Sequence, residues 1–279
     1  MGLFDAVRAA FARRPPTDVL KPGDPLRIGA AGKARLASLP EGHGIHVWTR
    51  EVDGGRSVVV DEGPAQGPPP AVLVDLPVTL SDDDLQRLRG VRLDHVDGAW
   101  RIEVGLTLHG RDTPNPDGRL YVTDRVLAVG RPVFAADPAS ATGLAARLLS
   151  LRGVRTALLR DETATIERVP GTPWPELDAA VESALRTWAL QLGESDVGTA
   201  PVATGLEAEV MAVLQERILP GIHRDGGDLQ FVGLHDGVAR VSLHGACRTC
   251  PSSTATLRLG VERALTDAFP GRILSVEAV

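Results

Sequence analysis

Cysteine is nearly absent from this chain. Two occur among 279 residues, Cys247 and Cys250, and none precedes them. Chemistry that needs thiols is therefore confined to one C-x-x-C pair near the C-terminus. Aromatic residues make up only 4%, too few for the stacking platforms that hold single-stranded nucleic acid. The net charge of −6 gives no support for a role on nucleic acid or at an anionic membrane surface. No apolar run approaches bilayer-spanning length. The stretch Met1–Arg14 places Leu3, Phe4, Val7 and Phe11 at amphipathic spacing, without the apolar core and cleavage site of a secretory signal. Asp5 and the lack of serine weaken transit-peptide character there, so residues 1–20 read as an N-terminal arm or docking helix. Few cysteines and no export signal point to a reduced cytoplasm.

What is present suffices for cores: 43% of residues are apolar, and the length exceeds that of one small domain. The expected architecture is α+β, with three small domains over 21–111, 112–193 and 206–279, the last two joined by a linker at 194–205. In the first, Ala30–Leu39 reads as a helix. His43–Val52 and Ser57–Asp61 read as strands about the turn Asp53-Gly54-Gly55, and Ala71–Asp75 is strand-like. Ser81 caps a helix over Asp82–Arg89, and Asp97-Gly98 turns a hairpin within Val91–Leu108. This layout resembles an A-type iron–sulfur carrier domain. The three metal-binding cysteines of that family have no counterpart here, which implies a cluster-free recognition surface. The histidines His43, His46, His95 and His109 share no close metal-ligand spacing.

In the second region a turn-rich stretch, Asp112-Thr113-Pro114-Asn115-Pro116-Asp117-Gly118, leads into a strand over Arg119–Thr123. Ala141–Leu149 reads as a helix, and Val154–Leu159 and Thr163–Arg168 as a hairpin about Asp161-Glu162. Pro173-Trp174-Pro175 opens a helix with Leu177, Ala180, Val181, Ala184, Leu185 and Trp188 on one face. Trp174 and Trp188 read as packing residues. The Thr113-Pro114-Asn115-Pro116 opening, the Leu151-Arg152-Gly153-Val154 step and the Trp174 helix start resemble the Nfu-type N-terminal domain, a module found beside NifU-type iron–sulfur domains.

The third region is the cleanest. Leu206, Val210, Val213, Leu214 and Ile218 form a helical stripe ended by Pro220-Gly221. A strand over Leu229–Leu234, the turn Asp236-Gly237 and a return strand over Val238–His244 make a hairpin. The loop Gly245-Ala246-Cys247-Arg248-Thr249-Cys250-Pro251-Ser252-Ser253 follows, then a helix to Phe269 and a last strand over Arg272–Ala278. Thiolates at C-x-x-C spacing can share one soft metal centre or join as a disulfide; the bland alternative is an incidental pair of small apolar residues. A helix start behind them favours thiolate and anionic clusters. His223 and His244 could complete a tetrahedral zinc site with the cysteines. Asp225 and Asp228 read as turn-formers rather than a hard-cation site, and Ser252 and Ser253 as helix caps.

Asp225-Gly226-Gly227-Asp228, Gly245-Ala246-Cys247 and Cys250-Pro251-Ser252-Ser253, with Thr256-Leu257 beyond, resemble the NifU C-terminal (Nfu) family over Leu206–Val279. The resemblance implies a non-enzymatic iron–sulfur scaffold or carrier with Cys247 and Cys250 as ligands, serving apo-protein clients and receiving from a cluster donor. A [4Fe-4S] cluster commonly takes four thiolates, and one chain offers two. A homodimer with the cluster on its twofold axis is therefore expected, with [2Fe-2S] the alternative. A dithiol oxidoreductase and a structural zinc module are the competing readings. The first of these normally sits in a thioredoxin-like βαβ context, which does not surround this pair.

Overall fold

The computed structural model describes residues 24–52, 55–66, 73, 76–198, 205–249 and 254–279, without the side chains of 254–257. The N-terminal arm at 1–20, the Asp53-Gly54 turn, most of the strand-like 71–75 segment, residues 199–204, Cys250 and Pro251-Ser252-Ser253 lie outside the described residues. The chain falls into two compact units. One holds the described residues through Thr107 with Ala189–Leu192; the other holds Leu108–Trp188 with the described residues from Gly193 on. Mixed α and β structure runs through both, as expected for an α+β chain.

The first unit contains β1 (Arg27–Ile28), α1 (Ala30–Ala37), β2 (His43–Val52), β3 (Gly55–Pro64), β4 (Val78–Thr79), α2 (Asp82–Arg87), β5 (Val91–Val96) and β6 (Ala99–Val104). Two three-stranded sheets, ordered β3-β2-β4 and β1-β5-β6, enclose Leu36, Ile45, Val47, Leu88, Val91 and Leu93. The Ser81 hydroxyl accepts from Asp84 N at 3.0 Å and caps α2, as Ser before a run of helix formers should. Asp97 and Gly98 both have positive φ, 53° and 78°, the geometry of the two-residue hairpin turn that such a pair favours.

The second unit begins with β7 (Leu108–Asp112), β8 (Gly118–Thr123), β9 (Ala128–Ala135), α3 (Gly143–Leu149), β10 (Val154–Asp161), β11 (Thr163–Arg168), α4 (Trp174–Leu190, of which Ala189 and Leu190 count with the first unit) and β12 (Asp196–Gly198). Its sheet is ordered β12-β9-β10-β11-β8-β7. Leu177, Val181, Ala184, Leu185 and Trp188 of α4 are buried, on the face their spacing marks. β9 has no counterpart in the sequence pattern. Gly130 at φ 80° and Pro132 interrupt it, and its pairing with β10 shifts register between Leu159 and Asp161. Such interruptions erase the alternation that marks a strand.

The unit continues with α5 (Leu206–Arg217), α6 (Leu219–Arg224), β13 (Gly227–His235), β14 (Val238–Gly245), α7 (Thr254–Ala268) and β15 (Ser275–Ala278). The hairpin β13–β14 carries β15 in parallel on its far edge. One reading from sequence is corrected here: Pro220 does not end the helical region. It sits in the first turn of α6, where a missing N–H costs nothing. The segments 112–193 and 206–279 thus share one unit, and part of the stretch between them is structured. β12 pairs in parallel with β9, Asp196 opposite Ala128. The Asp196 carboxylate also accepts from Leu144 N and Ala145 N at 2.9 Å each, capping α3. Asp196→Ala should lower stability by about 1 kcal/mol, read as a drop in urea midpoint at unchanged slope.

Candidate metal centre

The cysteine loop leaves β14 through a tight crossing. Gly227 pairs with Gly245 and Asp228 with His244 at the open end of the hairpin. Gly245 has φ 61°, and a Cβ there would stand 2.6 Å from Gly226 O and 2.7 Å from Leu158 Cδ2. Only glycine serves at such a position. Ala246 N then donates to Gly226 O at 3.1 Å, holding the loop across the start of β13. The approach that Gly245 permits is within the chain, to Gly226 and Leu158.

Cys247 turns inward. It is 6% exposed and packs in a core with Val210, Leu214, Ile222, Leu229 and Leu265. Space for its sulfur comes from Gly227, where any Cβ would overlap the Cys247 Sγ. Gly227 serves by being small beneath a thiol. Helix α7 starts at Thr254, so Cys247 itself is set at the hairpin exit rather than on the helix start. Cys250 lies outside the described residues.

The aspartates divide. Asp225 caps α6, and Gly226 at φ 75° completes the turn. Asp228 belongs to β13, is 6% exposed, and sits 2.9 Å from His223 Nε2. The turn reading holds for the first and is corrected for the second, because strand pairing with His244 claims it. His244 Nε2 lies 3.3 Å from Gln230 Oε1, and its ring meets Phe134 at 4.4 Å between centroids. Among the described residues no group of three His, Cys, Asp or Glu is placed to hold a metal, so His223, His244 and Cys247 form no such group. A cavity of about 290 Å³ opens beside these strands, lined among others by Phe134, Arg160, His223, Asp228 and His244.

Residues from the 112–193 segment reach the loop, and sequence spacing gives no sign of this. Asn115 Nδ2 donates to Ala246 O at 3.1 Å and to Thr249 Oγ1 at 2.9 Å. Thr249 Oγ1 donates in turn to the carboxylate of Glu167, which is fully buried. Glu167 also accepts from Thr156 Oγ1 at 3.1 Å. Arg111 Nη2 donates to Arg224 O at 2.8 Å, tying β7 to the end of α6. A glutamate within a strand pattern usually marks the solvent face, which hides this one.

Two predictions follow from the crossing and its histidine. Gly227→Ala should cost about 1–3 kcal/mol through overpacking. Adding Cys247→Ala should recover roughly 1 kcal/mol or more, a coupling that urea titration of the double-mutant cycle measures; additive losses would contradict the contact. Burial holds the His244 imidazole below its ordinary range, with Asp228 raising it and Arg248 lowering it. The unfolded chain therefore takes the proton first, near pH ~6.5. Stability attributable to His244 is complete above that pH and is lost as pH falls toward the folded value. His244→Gln should flatten this acid limb in urea titrations between neutral and mildly acidic pH.

Comparison with known proteins bears on this loop. Residues 210–277 match the NifU-like domain family. The NFU1 iron-sulfur cluster scaffold homolog, mitochondrial, of Drosophila ananassae is 30% identical over 180 residues, covering 61% of this chain and 63% of that protein. The Homo sapiens protein of the same name is 27% identical over 171 residues, covering 57% and 67%. That of Drosophila erecta is 29% identical over 201 residues, covering 65% and 71%. The chain thus spans less than two thirds of the first relative's length. The match to the NifU-like domain family thus falls on residues 210–277, the stretch that holds the crossed hairpin and the Cys247 loop.

Proposed function

We propose that the chain is an iron–sulfur cluster scaffold or carrier that holds its cluster through Cys247 and Cys250. The observation that carries this reading is the NifU-like domain over 210–277 with Cys247 at its hairpin exit; relatives named as iron–sulfur cluster scaffolds support it. The donor set suits the cargo, since thiolates are the ordinary ligands of such clusters. One chain offers two cysteines and a four-iron cluster commonly takes four thiolates, so a second chain is the proposed source of the other two. The proposed cargo is therefore a [4Fe-4S] cluster shared across the twofold axis of a homodimer, with [2Fe-2S] as the alternative.

Transfer in this reading is ligand exchange. A client thiolate replaces Cys247 or Cys250 on the cluster, and the released thiolate takes a proton. The protein turns over no substrate. Its partners are an upstream cluster donor and apo-protein clients, and a reducing compartment such as the cytoplasm would keep both thiols available. Among the described residues no helix is long and apolar enough to cross a membrane.

Anaerobic reconstitution with iron and sulfide tests the reading. A brown dimer with about two irons per chain is expected for the parent, by absorbance, metal analysis and native mass. Cys247→Ala with Cys250→Ala should abolish it. A colourless protein that takes up zinc, or iron uptake indifferent to the cysteines, would overturn the carrier assignment.

A further inference from the structure

The Thr113-Pro114-Asn115-Pro116 turn has no part in the function just proposed, yet it is built to hold one side chain in one place. Asn115 is 2% exposed. Its Oδ1 accepts from Asp117 N at 3.0 Å, which leaves Nδ2 facing the cysteine loop. Thr113 Oγ1 bonds both Asn115 O, at 2.9 Å, and Gly118 O, at 2.8 Å. Trp174 Nε1 donates to Pro116 O at 3.1 Å, and the guanidinium carbons of Arg119 and Arg168 lie over its ring, 4.5 and 4.9 Å from the centroid. Arg168 Nε donates to Asp117 Oδ1 at 2.8 Å. Side chains braced this closely are preorganised for the contact they make.

That contact straddles Cys247. Asn115 holds Ala246 O and Thr249 Oγ1, one residue before the cysteine and two after it. The buried carboxylate of Glu167 receives the Thr249 hydroxyl. Cys247 meanwhile points away, into the core above Gly227. A packed interior has no room for a metal cluster, so this thiol must leave its core before it can ligate anything shared. The loop cannot swing out while both flanks are tied. We propose that Asn115 and Glu167 form a clasp that keeps the Cys247 loop shut, so that release of the Asn115 turn governs when the thiol becomes available. They are positioning residues, acting on the loop and not on the cargo. The purpose assigned to the clasp rests on the carrier reading; the clasp itself can be measured without any cluster.

The test uses the full chain in its cluster-free form with Cys250→Ser, which leaves Cys247 as the single thiol. The rate of Cys247 alkylation by iodoacetamide is followed with and without low urea. Asn115→Asp keeps the acceptor for Asp117 N but cannot donate, so it isolates the two bonds to the loop. It and Thr249→Val each remove two of these hydrogen bonds and should each speed labelling roughly five- to a hundredfold. The faster rate should depend little on urea below the unfolding transition, the mark of local opening. Rates within twofold of the parent, or an acceleration with the full urea slope of global unfolding, would overturn the clasp. Thr249→Val, a near-isosteric change outside the Asn115 turn, decides the matter if Asn115→Asp fails to fold. If the unsubstituted chain, with both cysteines, fails reconstitution while the variants label faster, the carrier reading falls and the clasp stands.

Discussion

Everything about the candidate site depends on how closely two backbones cross at the open end of one hairpin. The pairing of Gly227 with Gly245 brings β13 and the exit of β14 together where no side chain fits. Gly226 O approaches the space a Gly245 Cβ would fill, and the Cys247 sulfur takes the space above Gly227. This arrangement replaces side-chain bulk with contact between backbones and a thiol. It yields a buried Cys247 beside an equally buried Ala246. The rest of the C-terminal layer, α5, α6 and α7 over the sheet, supplies the apolar wall against which that thiol rests.

The second constraint is polar. A loop laid across another segment must find partners for its carbonyls and hydroxyls, since unpaired buried polar groups are costly. Asn115 and Glu167 provide them in a directed relay, amide to hydroxyl to carboxylate. A fully buried carboxylate is tolerable only when its oxygens accept bonds, and both oxygens of Glu167 do, from Thr249 and Thr156. The 112–193 segment therefore completes the cysteine loop chemically. The shared compact unit follows from that requirement.

Much of this was legible from residue order. The helical stripe of α4, the Asp97-Gly98 and Asp236-Gly237 turns, the cap at Ser81 and the β13–β14 hairpin each rest on a local rule. Turn chemistry or periodicity decides them within a few residues. The NifU-like character of the C-terminal region was legible in the same way, from glycine, aspartate and cysteine spacing. What escaped were features whose cause lies far along the chain. β9 hides behind Gly130 and Pro132; β12 is a strand only because β9 stands beside it. Pro220 looked like a stop because the pattern cannot tell a helix end from the first turn of the next helix.

The sequence by itself determined the chemistry available: two thiols at one spacing and glycines where backbones must pass. Only the tertiary structure decided what those residues face. Cys247 points into a core, Gly227 makes room for it, and Asn115, more than a hundred residues earlier in the chain, holds its loop. The physical reason is range. Backbone conformation and periodicity act over a few neighbouring residues, whereas burial and hydrogen-bond satisfaction are settled only when distant segments meet.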